Sequence, residues 1–319
     1  MLIYYDGDAG GFWPDWAIEL TGVHNVVQDC PVKCKYTKDP SAYVYADAVL
    51  QFCLGMKGKT EYDGKITVVQ CTEPFIQDDR QHFLYNPELK LQDFDIAMTY
   101  DPKVSNVPMT FGVWPAEQGS FCNVETWLVE VVKAKTTKTS PNPACFFAAN
   151  CAPERTQYVK DMMDHVGVDS YGSCLHNTDD TAGAHTHNSF DLLVARSSSH
   201  KFCLAFDKQQ TVGYISERLP LAYRSGCVPV YWGRGDADDY EPGPHSYINA
   251  NNFKGPKELA EYLNYLDKND TALEEYFKWK KHPLSPAYLE YVKHTHCASI
   301  CNLCVKVAEM RKERGQSQP

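Results

Sequence analysis

The fold is decided by Lys201–Gly233, KFCLAFDKQQTVGYISERLPLAYRSGCVPVYWG. Phe202–Phe206 and Val228–Trp232 are short apolar runs, each with the length and composition of a buried strand. Between them Tyr214–Ser225 reads as a helix that stops at Gly226, a residue favoured just past a helix end. Pro220 falls inside this helix. Proline is tolerated only in the first turn, where its missing N–H has no partner to lose, so the helix should start near Ser216. Strand, loop, helix and strand form the unit of a parallel α/β sheet, which binds ligands beyond the C-terminal ends of its strands.

The same alternation continues outward. Ala144–Ala149 is a strand candidate, and Val159, Met162, Met163 and Val166 then give one apolar helix face at i, i+3, i+4 and i+7. Pro256 precedes an amphipathic helix carrying Leu259, Leu263 and Leu266. Nearer the N-terminus, Leu2–Tyr5, Lys65–Gln70 and Phe94–Thr99 read as further short strands. Lys135–Pro143 (KTTKTSPNP) is polar and holds two prolines, the composition of a linker. The expected division is therefore residues 1–140 and 141–319, two domains for 319 residues.

Composition limits what these domains can do. Thirty-one Lys and Arg against 41 Asp and Glu give a net charge of −10, which argues against a nucleic-acid binder. A local basic pocket for a phosphorylated small molecule remains compatible with it. The content of 43% hydrophobic and 23% charged residues is that of a folded protein rather than a disordered one. No segment approaches the ~18–20 apolar residues of a membrane span, and Met1–Asp6 lacks the regions of a signal peptide. As written, the chain reads as soluble. The 13 cysteines leave at least one thiol unpaired if the others bridge.

Several short motifs invite a metal or a nucleotide. Asp6-Gly7-Asp8-Ala9-Gly10-Gly11 begins like a calcium loop, but Ala17 stands where the bidentate Glu is needed, and the G-x-G-x-x-G spacing is absent too. It reads as a strand-to-helix loop. There is no Walker A sequence. Asp236-Ala237-Asp238 is a D-x-D that could hold a hard divalent ion, against the plainer reading of a solvated loop. His294, His296, Cys297, Cys301 and Cys304 have zinc-like spacing, with structural disulfides as the competing reading. Cys174, His176, His185 and His187 read as a surface loop. Asn269-Asp270-Thr271 is a glycosylation sequon, informative if the chain enters the secretory pathway.

Tyr214-Ile215-Ser216-Glu217-Arg218 is the most informative segment. It opens a helix just after a strand, where free N–H groups and the helix dipole favour an anion. Arg218 adds a planar fork suited to a diphosphate, and Glu217 a carboxylate able to hold ribose hydroxyls. An ordinary helix start accounts for the same residues.

With its neighbours, this block resembles the α1,3-fucosyltransferase family, glycosyltransferase family 10, whose pattern is roughly F-x-L-x-F-E-N…Y-V-T-E-K…G-x-V-P-V-x-x-G. Further blocks agree in order. They are Cys30-Pro31…Cys34 with Tyr43–Val49, then Thr72-Glu73-Pro74 and Phe94–Tyr100. Asn150-Cys151…Arg155, Val168–Cys174, Glu258–Lys280 and Cys301-x-x-Cys304 follow. The resemblance implies a GT-B architecture, two Rossmann-like domains with parallel sheets facing a central cleft. It implies an inverting transfer of L-fucose from GDP-fucose to a GlcNAc-containing glycan of N-glycan core or LacNAc type. By position Glu73 would be the general base, and Arg155 and Arg218 would bind the diphosphate. Lys208, Tyr214, Ser216 and Glu217 would contact the donor. No cofactor or metal is implied as required, a divalent cation being at most stimulatory. Cys30, Cys34, Cys151, Cys174, Cys301 and Cys304 would form structural bridges in a Golgi lumen, which would require a targeting segment not visible in this sequence. Phe206-Asp207-Lys208 departs from F-E-N and puts a cation where the family has a neutral amide. That departure motivates an alternative, a non-catalytic glycan- or nucleotide-sugar-binding relative.

Overall fold

The computed structural model describes residues 1–6, 30–52, 62, 64–71, 93–101, 103–110, 124–179, 190–234, 237–294 and 296–316. The chain forms two compact units, one chiefly from Met1–Thr110 and Lys293–Pro319, the other chiefly from Asn123–Val292. This differs from one cut at residue 140. The polar segment 135–143 lies inside the second unit, where its side chains are anchors rather than a spacer. The Thr136 hydroxyl donates to the His200 carbonyl at 2.7 Å, and Ser140 donates to the Asp169 carboxylate at 2.7 Å.

The first unit holds β1 (Leu2–Asp6), β2 (Lys35–Thr37), β3 (Ala48–Phe52), β4 (Ile66–Cys71) and β5 (Ile96–Thr99). They form one parallel sheet in the order β2-β1-β3-β4-β5. Every residue of β4 is buried, as expected of a strand covered on both faces. The second unit holds β6 (Ala144–Phe146), β7 (Val168–Ser170), β8 (Phe202–Phe206), β9 (Val228–Trp232) and β10 (Ile248–Asn249). Its parallel order is β10-β9-β8-β6-β7. Read from the other edge, this is the same doubly wound order as the first. Two Rossmann-like α/β units result.

Among the described residues the helices are α1 (Val124–Lys133), α2 (Pro153–Met163), α3 (Phe190–Ser197), α4 (Arg218–Ser225), α5 (Pro256–Asp267), α6 (Asp270–Glu274), α7 (Pro286–Val292) and α8 (His296–Glu313). The expected apolar faces are buried: Val159 and Met162 of α2 and Leu259, Leu263 and Leu266 of α5 pack with Phe202, Leu204 and Phe206 in one core. Helix α4 starts at Arg218, two residues later than expected. The Ser216 N–H bonds to the Asp207 Oδ1 at 3.2 Å, and the Leu219 N–H reaches the Ser216 carbonyl at 3.4 Å, so the chain enters the helix through a turn. Pro220 is then the third helical residue, still in the first turn. Gly226 caps α4 with φ +75°, and a Cβ there would come within 2.5 Å of the Lys135 backbone nitrogen, so both conformation and space call for glycine.

Helix α8 was not expected. Its Ile300, Leu303 and Val307 are fully buried in the core of the first unit, against Ile3, Leu50 and Val68. Two disulfides, Cys30–Cys301 and Cys34–Cys304, fasten it there. At its C-terminal end Arg311 pairs with Asp47 at 2.6 Å and Arg314 with Asp95 at 2.8 Å. Asp47 also accepts the Leu2 N–H, and Asp95 the Thr67 N–H, so each carboxylate joins the helix to a strand of the sheet.

Candidate active site

In a doubly wound sheet the ligand crevice lies where the strand order reverses, outside the C-terminal ends of the strands. In the second unit that point falls between β6 and β8. The segments leaving these strands are Phe147–Cys151 and Asp207–Gly213, and two arginines lie where they leave. Arg155, the third residue of α2, is 1% exposed. Its Nη1 donates to the Phe206 carbonyl at 3.2 Å, and its Nη2 to the Asn150 carbonyl. One guanidinium thus spans the ends of both strands, while its buried Nε has no hydrogen-bond partner. Arg218, the first residue of α4, donates from Nε to the Phe147 carbonyl at 3.2 Å and from Nη1 to the Ser216 hydroxyl at 3.3 Å. Its Nη1 also lies 3.2 Å from a Glu217 carboxylate oxygen.

These two cations act on each other. Burial, and then the neighbouring charge of Arg218, draw the Arg155 guanidinium down to about 10. Asp207 partly offsets them. It follows β8 directly, is 1% exposed, and accepts the Ser216 N–H. Burial pushes its carboxyl up to about 7, against hydrogen bonds from Ser216 and Tyr231 and the charge of Arg218, which pull it down. Gly233 permits this packing. A Cβ there would collide with the Tyr231 hydroxyl and lie 2.7 Å from Asp207 Oδ2.

The loops themselves are braced. The Cys151–Cys174 disulfide ties the segment before α2 to the segment after β7. The Ser173 hydroxyl donates to the Ala149 carbonyl at 2.8 Å, and the Cys174 N–H to the Ala148 carbonyl at 3.0 Å. Cys203–Cys227 joins β8 to the residue before β9, with the free thiol of Cys145 3.4 Å from the Cys203 sulfur.

The structure therefore brings Arg155, Arg218, Ser216 and Glu217 together. Tyr214 is buried in the same turn. Lys208 is half-buried in the loop after Asp207 and makes no ion pair among the described residues. Glu73 lies outside the described residues. So do Asp236 of the D-x-D, His185, His187 and the Gly7–Gly11 loop. Asp238 is exposed and accepts the Tyr247 hydroxyl at 2.5 Å. Cys301 and Cys304 are in disulfides, so their sulfurs are not thiolates able to hold zinc, and Cys174 is likewise bridged. All six cysteines named with the resemblance are bridged. Asp207 was legible only as a departure from a pattern. A lone acid at the end of an apolar strand was the signal available for its role.

Three comparisons bear on this site. The model of "Glycosyltransferase family 10 (fucosyltransferase) C-term" matches residues 135–318. GDP-fucose protein O-fucosyltransferase 3 of Xenopus laevis is 35% identical over 160 residues, 49% of this chain and 34% of that protein. The Danio rerio protein of the same name is 36% identical over 184 residues, 55% of this chain and 39% of that one. The matched part of the chain spans little more than a third of the length of these relatives. A crystal structure of an alpha1,3-fucosyltransferase superposes with a TM-score of 0.59 at 18% identity, covering 97% of this chain and 90% of that one, which is a likeness of fold.

Proposed function

Since this chain belongs to glycosyltransferase family 10, the fucosyltransferases, we propose that it transfers L-fucose from GDP-fucose to an acceptor hydroxyl with inversion. The observation that carries this reading is the pair of guanidiniums at the strand-order reversal. Two like charges held close, one of them buried, are relieved by an anion, and the diphosphate of a nucleotide sugar brings one whose charge grows as the bond to the sugar breaks. The acceptor oxygen forms a bond to C1 of fucose, the bond from C1 to the phosphate oxygen breaks, and GDP leaves with the electron pair. The acceptor's proton passes to a carboxylate, the role assigned to Glu73. Arg218 faces the diphosphate, Arg155 fixes the loops around it, and Lys208 adds a third cation. Glu217, Ser216 and Tyr214 hold the donor. Because guanidiniums carry the charge stabilisation, transfer proceeds in the presence of a chelator.

The acceptor is a protein hydroxyl, as the names of the curated relatives favour. A GlcNAc-containing glycan is the second reading, motivated by the resemblance of Tyr171–Asn177 (YGSCLHN) to plant-type core α1,3-fucosyltransferases. Four disulfides favour an oxidising lumen such as the Golgi as the place of action. The test is incubation with GDP-fucose and a panel of folded protein domains and GlcNAc-terminated glycans, read as a mass gain of one deoxyhexose. GDP binding without transfer or donor hydrolysis would establish the non-catalytic alternative. Transfer to glycans alone would replace the protein acceptor, and full activity of Glu73→Gln would remove the base assignment.

A further inference from the structure

Asn269 lies at the junction of α5 and α6, at the opposite end of β8 from the arginine pair. Lys201, immediately before β8, fixes that placement. Its Nζ lies 2.8 Å from an Asp267 carboxylate oxygen at the end of α5, so this junction sits beside the N-terminal end of β8, while Asp207 and Arg218 lie at the C-terminal end. The Asn269 Oδ1 accepts the Ala272 N–H at 3.1 Å and caps α6, so Nδ2 takes no part in the cap. Nδ2 donates to the Tyr265 hydroxyl at 3.1 Å. Tyr265 is 53% exposed, one of the few large hydrophobic side chains so placed among the described residues. Thr271, two residues on, is exposed as well.

We infer that Asn269 is an N-glycosylation site and that Tyr265 is the platform on which its first sugar rests. Asn269-Asp270-Thr271 supplies the acceptor sequence, with Asp rather than Pro in the middle. The disulfides favour an oxidising compartment, where the co-reactant is a lipid-pyrophosphate-linked oligosaccharide. In the transfer a bond forms between Nδ2 and C1 of the sugar, and the bond from C1 to the pyrophosphate oxygen breaks. Nδ2 gives up one proton and the lipid pyrophosphate leaves with the electron pair. The cap survives, because Oδ1 and not Nδ2 makes it. The exposed ring at i−4 then meets the apolar face of the first sugar, which accounts for an aromatic side chain half in water beside the modified nitrogen. A glycan here leaves the strand C-terminal ends open, so it is compatible with fucosyl transfer without resting on it.

The test is expression of the full chain behind a cleavable secretion leader in a eukaryotic host. Peptide mass mapping is done before and after an amidase that removes N-glycans and leaves aspartate. The peptide holding Asn269 is expected to carry the glycan. Asn269→Asp, which keeps the cap, and Thr271→Ala should each abolish it. Enzymatic removal should lower the Tm by about 1–3 °C in the parent and leave Tyr265→Ala unchanged. Secreted parent protein with Asn269 unmodified would overturn the site. Equal Tm changes in the parent and Tyr265→Ala would overturn the platform. Fucosyl transfer assayed on the same samples is expected to be unaffected by the glycan, and its absence in every sample would count against the proposed activity rather than against Asn269.

Discussion

Removing both bridges that fasten α8 will cost much more than the sum of removing each. Cys30–Cys301 and Cys34–Cys304 join residues 271 and 270 apart. On the chain-entropy account, closing a first loop of that length stabilises by about 5–6 kcal/mol. The other two bridges among the described residues lie inside this loop and shorten it by only 23 and 24 residues, a small change under a logarithm. Once either long bridge exists, the second closes a ring of roughly eight residues and adds about 2–3 kcal/mol. Cys30→Ala/Cys301→Ala and Cys34→Ala/Cys304→Ala should therefore each lose about 2–3 kcal/mol, and the fourfold variant about 8 kcal/mol. The excess over additivity, about 3 kcal/mol, is the coupling expected of two constraints on one loop. Guanidinium unfolding without reductant measures all four species. A fourfold variant no less stable than the two pairs predict by simple addition would refute the loop-closure reasoning.

Three further outcomes follow from particular residues. Asp207 is protonated more readily in the folded state than unfolded, so stability should fall as pH rises from about 4 to 7, by at most about 4 kcal/mol. Asp207→Asn should flatten that part of the pH–stability curve, and an unchanged slope would remove the buried carboxyl as its cause. Arg155→Lys cannot reach both the Asn150 and Phe206 carbonyls, so it should weaken GDP binding, measured by calorimetry, by about 10–100-fold at two to three hydrogen-bond equivalents. Gly226→Ala should destabilise by more than about 1 kcal/mol, read as a lowered Tm, because it meets both a positive φ and the Lys135 backbone.

The single sequence determined the elements whose signal is local. Phe202–Phe206 and Val228–Trp232 are strands with the bounds their apolar runs imply, and Gly226 ends the helix between them. The ordered blocks from Cys30 to Cys304 carried the family, because spacing along the chain survives where identity is low. Other features depended on partners distant in sequence. Helix α8 has an apolar spacing at Ile300, Leu303 and Val307, but the histidines and cysteines around it, His294, His296, Cys297, Cys301 and Cys304, turned the reading to zinc or disulfides rather than to a helix. Only the fold brings Cys30 and Cys34 to it. The polar segment 135–143 reads as a linker from composition, yet its hydroxyls are matched by carbonyls and a carboxylate some 30 to 60 residues away, which no local pattern reveals. At the candidate site the sequence named the arginines, whereas the tertiary structure decided what they do. Sheet order placed them at one reversal point, burial set the charge of Arg155 against that of Arg218, and Asp207 became the group that holds the turn between them. The reason is physical: hydrogen bonding and desolvation depend on what surrounds a group in space, and that is fixed only once the strands are in register.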